Sequence, residues 1–98
     1  MAGDPAKVAS EAYKVLVEND HVRVLEYRAG PGIKTAMHGH PDLVAVAISR
    51  AKVKFTFPDG QTAEAELSDG EAGFFEATEH ITENVGAGDA HIVLVELK

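Results

Sequence analysis

The chain has no cysteine and no tryptophan, and its nine basic residues are outnumbered by sixteen acidic ones. Without thiols there can be no disulfide, no thiolate nucleophile and no Cys-based zinc site, so any metal must be held by nitrogen and oxygen. Two tyrosines and four phenylalanines are too few for the stacking platforms of single-stranded nucleic-acid binders. A net charge of −7 with no lysine/arginine cluster lacks the electrostatic footprint of a DNA or RNA partner and disfavours anionic membranes. No apolar run approaches the roughly eighteen residues that cross a bilayer, and the opening "MAGDPAKVASEAYK" has no apolar core of signal-peptide length. We therefore expect a soluble, cytoplasmic protein with no nucleic-acid or membrane partner.

What is present suits one small globular domain: 98 residues, 45% of them hydrophobic and 26% charged. The period-two pattern of half-buried strands dominates. "KVKFTF" alternates Lys52, Lys54 and Thr56 with Val53, Phe55 and Phe57, and "PDG" follows. Its hairpin partner "QTAEAEL" can set Thr62, Glu64 and Glu66 opposite the lysines while Ala63, Ala65 and Leu67 face inward. "YKVLVE", "VRVLEYR", "IKTAMH", "DLVAVAIS", "AGFFEA", "HITENVG" and "HIVLVEL" complete about nine strands separated by turn signals, the spacing of an all-β sandwich or barrel. "PAKVASEAYK", Pro5 to Lys14, is the one helical candidate, with Asp4 as N-cap; it reads equally as a loose arm. We divide the chain into an N-terminal arm, 1–12, and a barrel domain, 13–98. The apolar "YKVLVE" would need covering at a sheet edge, which predicts a homodimer.

Chemistry concentrates in "TAMHGHPD". Residues two apart on a strand share a face, so His38 and His40 would project side by side, with Gly39 between them leaving room for close approach. Two imidazoles alone read either as a solvated or hydrogen-bonded pair or as two metal ligands. His80 offers a third. His21 after a turn and His91 at the start of the last strand read as structural, and Asp42 reads as a turn residue or a reserve oxygen ligand.

These residues resemble the two motifs of the cupin superfamily. Gly32, "IKTAM", His38, Gly39 and His40 follow the first half of the first motif without a gap, whereas Val44 and Ala45 stand where its glutamate belongs and Ala51 where its closing glycine belongs. Gly70, His80 and Asn84 resemble the second motif, with the interval from Gly70 one residue shorter and Glu76 and Thr78 replacing its proline and glycine. The resemblance spans Val22 to Lys98 and implies an antiparallel jelly-roll barrel. It also implies a divalent transition metal (iron, zinc, nickel, copper or manganese) held by His38, His40 and His80, and a three-histidine dioxygenase acting on a small anionic or enolisable metabolite. A non-catalytic cupin that binds a small molecule or metal is the alternative. Around such a centre Met37, Val44, Val46, Phe74 and Phe75 would line a pocket or simply fill the core. Glu76 and Glu79 would serve as a general base or replacement oxygen ligand, or stay solvated at strand ends; Arg28 and Lys34 would steer an anion.

Overall fold

The computed structural model describes residues 3–98. Alternation in the middle of the chain is realised as two strands, β5 (Ala51–Thr56) and β6 (Thr62–Leu67), paired in the register Lys52↔Glu66 and Lys54↔Glu64. Lys52 Nζ reaches the diagonal Glu64 carboxylate at 3.7 Å, and the opposite face sends Val53 and Leu67 into the core. Such exposed pairs contribute little; burial of the other face fixes the register.

Seven further strands complete the all-β fold: β1 (Tyr13–Glu18), β2 (Val22–Ala29), β3 (His38–His40), β4 (Leu43–Ser49), β7 (Ala72–Phe75), β8 (Thr78–Asn84) and β9 (Ala90–Leu97). They form two antiparallel sheets, ordered β1-β2-β9-β4-β7 and β3-β8-β5-β6. "IKTAMH" contributes less strand than its pattern predicts. Thr35 spends its backbone N–H and its hydroxyl on the backbone of Thr82, and only His38–His40 pair as a strand. The glycines opening both motifs, Gly32 and Gly70, have φ of 81° and 72°, a left-handed conformation that a side chain would oppose.

The candidate helix is a single turn. α1 spans Pro5–Val8, with the Asp4 carboxylate accepting from the Ala6 N–H, and the chain then turns so that Lys14 lies in β1. Nor is the segment loose, because Ala9 and Ala12 are buried in the core cluster and the Gly39 N–H donates to the carbonyl of Gly3. Of the arm expected over 1–12, residues 1 and 2 lie outside the described residues. Among the described residues no helix is long and apolar enough to cross a membrane.

Both faces of the five-stranded sheet carry apolar side chains. Leu25, Tyr27, Leu43, Ala45, Ile92 and Leu94 point between the sheets and are buried. On the outer face the registers Val17↔Val24, Val24↔Val95, Val44↔Val95 and Val44↔Phe74 draw one uninterrupted apolar row across all five strands.

Candidate metal centre

Pairing of β3 with β8 sets His38 directly opposite His80 and His40 opposite Thr78. All three histidines therefore project from the inner face of the four-stranded sheet, each buried, with a nitrogen of each lying within 4.8 Å of the others. Ring centroids are 4.9 Å apart for His38 and His40, 5.0 Å for His38 and His80, and 5.3 Å for His40 and His80.

Neighbouring groups select the nitrogen that each ring offers. His38 Nδ1 lies 2.8 Å from the carbonyl of Ala36, to which it must donate, so Nε2 carries the lone pair. His40 Nδ1 donates to Glu96 Oε2 at 2.6 Å, which again leaves Nε2 as the lone pair. His80 is fixed by stacking, its ring 4.5 Å from that of Phe55 and inclined by 13°. The nitrogens left over, Nε2 of His38 and His40 and both of His80, are buried without a hydrogen-bond partner. Leaving such groups unpaired costs about 1–3 kcal/mol each. Burial pushes the His38 imidazole down to about 4, although its bond to Ala36 acts the other way. Burial, followed by the proximity of His40 and His38, pushes His80 down to about 3. Both are neutral at physiological pH, the form that ligates metals.

Glu96 is the residue that motif reasoning missed. It is 2% exposed and comes from the opposite sheet. Burial favours its neutral form, but hydrogen bonds from His40 and Arg23 more than offset this and hold the carboxyl below its usual range. Arg23 Nε lies 2.8 Å from Glu96 and its guanidinium also reaches Asp4 at 2.8 Å. A chain of polar contacts thus runs from the α1 cap to an imidazole of the cluster.

Beside the histidines, between the sheets, lies a cavity of about 310 Å³ whose lining includes His40, His80, Tyr13, Tyr27, Phe55, Phe75, Thr78, Thr82 and aliphatic side chains. Phe75 is the one member of the expected wall that lines it. Val44, Val46 and Phe74 belong to the other phase of their strands and face outward, Phe74 with 59% of its surface exposed. The turn at Pro41–Asp42 explains the shift: it carries the chain from one sheet to the other, so inward positions run His38, His40, then Leu43, Ala45 and Ala47. Met37 is half-buried outside the cavity lining. Of the two suspected carboxylates, Glu76 sits exposed at the cavity's rim, and Glu79, opposite Gly39, is out of phase with His80 and lies outside the lining. Asp42 accepts from the Ala77 N–H and holds the turn. His91 bonds Glu26 on the outer face, where Arg28 also pairs with Glu26, and His21 and Lys34 are exposed. Asn84 of the second motif is satisfied by the carbonyls of Ala29 and Gly88 and the N–H of Gly86, so it ties down a turn. Ala45 is the inward residue of the pair standing where the motif's glutamate belongs.

No family model matches the chain, and no curated protein does. Solved structures match it well. A cupin domain from Bordetella pertussis Tohama I superposes with a TM-score of 0.77 at 28% identity, covering 88% of this chain and 91% of that one. The chain folds as a cupin domain. A cupin of the RmlC-like type from Methanocaldococcus jannaschii, with a double-stranded β-helix fold, matches at a TM-score of 0.67 and 14% identity over 87% of this chain and 77% of that one. An uncharacterised Klebsiella pneumoniae protein with a double-stranded β-helix domain matches at 0.65 and 23%, over 87% and 70%. In this cupin the buried three-histidine cluster is a possible metal site.

Proposed function

We propose that this cupin binds a divalent transition metal through His38, His40 and His80 and acts on a small enolisable or anionic molecule in the adjoining cavity, with oxygenation at iron as the reaction. The observation that supports it is the set of buried ring nitrogens that face one another with no protein partner. Iron, zinc, nickel, copper and manganese all accept such nitrogen donors. Once bound, the ion would supply Lewis acidity at full positive charge, since three neutral imidazoles cancel none of it, and iron would add redox capacity. The protein's part is to hold His38 and His40 in one tautomer, to fix the His80 ring against Phe55, and to keep water from the substrate with Leu43, Ala45, Val53 and Phe75.

One observation favours a second reading, a metal-dependent binder without catalysis. Among the described residues the one carboxylate lining the cavity is Glu76, exposed at the rim, so no buried carboxylate is placed there as a general base. Oxygen uptake by the iron-loaded protein with diketones and thiols separates the two.

The metal assignment has a direct test. Protein purified without a histidine tag should contain near-stoichiometric transition metal or take up zinc, and His80→Ala should abolish that uptake. Metal-free protein whose melting temperature ignores added iron, zinc and nickel would refute it, because saturation at a hundredfold excess over Kd should stabilise the fold by about 2.7 kcal/mol.

We also propose that the cupin is a homodimer. Its outer apolar row spans the full width of the five-stranded sheet, and the flanking charges Lys14, Glu26 and Arg28 include both signs. A second copy turned about a two-fold axis meets that face with valines against valines and unlike charges within reach.

A further inference from the structure

Apart from the histidine nitrogens, one buried side-chain atom among the described residues lacks a partner: the hydroxyl of Tyr27. Tyr27 is 2% exposed and lines the cavity. Its ring contacts that of Tyr13 at 5.0 Å, and Tyr13 in turn lies 4.8 Å from His38 and 5.6 Å from His40, which sets Tyr27 one ring removed from the imidazoles. Tyr13 is already satisfied by the hydroxyl of Thr82 at 3.1 Å. Tyr27 therefore has an O–H to give and nothing among the described residues to receive it. Burial raises its phenol to about 12, so it remains a donor at any physiological pH.

The rest of the wall restricts what can receive that proton. Among the described residues no lysine or arginine lines the cavity, and its one carboxylate, Glu76, is at the rim. An anionic group away from the histidines would be buried without a countercharge, which is strongly unfavourable. A neutral carbonyl or ether oxygen carries no such penalty, and the apolar walls accept the body between. We propose that Tyr27 is a ligand-recognition residue, donating to a neutral acceptor oxygen at the far end of a small apolar molecule whose only charged or metal-binding group sits at the histidines. The proposal rests on the reading of the cavity as a ligand site and narrows its ligand class, since a second anionic group is excluded.

A matched set of probes tests it: 4-hydroxyacetophenone, 4-ethylphenol and 4-hydroxybenzoate, which share a phenol and differ at the opposite end in a neutral acceptor, no acceptor and a carboxylate. Calorimetric titration of wild type and Tyr27→Phe, each with and without zinc, yields a double-mutant cycle between ligand oxygen and protein hydroxyl. The preference for the ketone over the ethyl compound should fall by roughly three- to tenfold in Tyr27→Phe, the range for one neutral hydrogen bond. Without zinc, where the neutral imidazoles supply no countercharge, 4-hydroxybenzoate should bind wild type at least about tenfold more weakly than the ketone. An unchanged ketone preference, a carboxylate that binds as well as the ketone without zinc, or failure of all three probes to bind would overturn the proposal. The zinc-free arm isolates it from the metal assignment: a Tyr27-dependent preference there with no zinc uptake would sink the metal centre alone. Tyr27→Phe should also melt no lower than wild type, since it removes an unpartnered hydroxyl. A drop of several degrees would reveal a structural partner and equally overturn the proposal.

Discussion

At the scale of single residues, the histidines set how the fold responds to acid. His38 and His80 titrate near 4 and 3 in the folded chain but near 6.5 when unfolded. Between those values the unfolded chain binds protons that the folded one refuses, so stability falls as pH falls. Metal-free protein should lose stability from pH 6.5 downward, with a slope approaching about 1.4 kcal/mol per histidine for each pH unit. Thermal melts between pH 6.5 and 4.5, above the range of the paired carboxylates, check this. The double variant His38→Gln/His80→Gln should flatten the curve, whereas a flat curve in the parent protein would contradict the burial argument. These histidines were legible in sequence because each belongs to a local pattern, His38 to a glycine, a fixed interval and His-x-His, and His80 to His-x-x-x-Asn after Gly70. Glu96 was not, because its partner His40 lies at the far end of a different sheet. Its signal was an acidic residue in the inward phase of "HIVLVEL", after Ile92 and Leu94.

At the scale of elements, the centre is supported from three directions. β3 and β8 carry the imidazoles, β9 brings Glu96 across the gap between sheets, and β2 brings Arg23 to hold Glu96 and Asp4. Glu96→Ala should release the His40 ring and weaken zinc binding by about 10- to 100-fold, the usual cost of losing an outer carboxylate. Glu96→Gln, which keeps an acceptor for Nδ1, should lie between the two. Competition against a chelator measures both, and an Ala variant with full affinity would show that the Glu96 bond is incidental. Strand identity followed from alternation, and the β5–β6 hairpin came out in its expected register. The phase of β4 did not follow, because the turn at Pro41–Asp42 changes parity and alternation alone cannot reveal a change of sheet. That is why Val44 and Val46 belong to the outer surface rather than to the cavity.

At the scale of the whole molecule, these outward valines form the face on which the proposed dimer rests. Val44 lies on β4 between β9 and β7, flanked in the outer row by Val95 and Phe74. Val44→Lys places a charge there without touching the cavity, so it should convert the proposed dimer to monomer in sedimentation velocity while zinc uptake is retained. A parent protein already monomeric at high concentration would refute the dimer. A sandwich or barrel was readable from strand number, and the jelly roll was implied by the resemblance to cupin motifs, but the outer row was not legible, because it exists only once five strands from separate parts of the chain are laid side by side.

The direct facing of His38 and His80 carries a kinetic consequence. The cluster's three imidazoles come from distant halves of the chain and are steadied by Glu96 on β9, so no fragment ending before β9 holds the finished constellation. Pairings that join distant segments form late in β-rich folding. Acquisition of metal would then mark the end of folding rather than its start, and a stopped-flow zinc signal should not precede the burial of Tyr27, whose partner Ile92 also lies on β9.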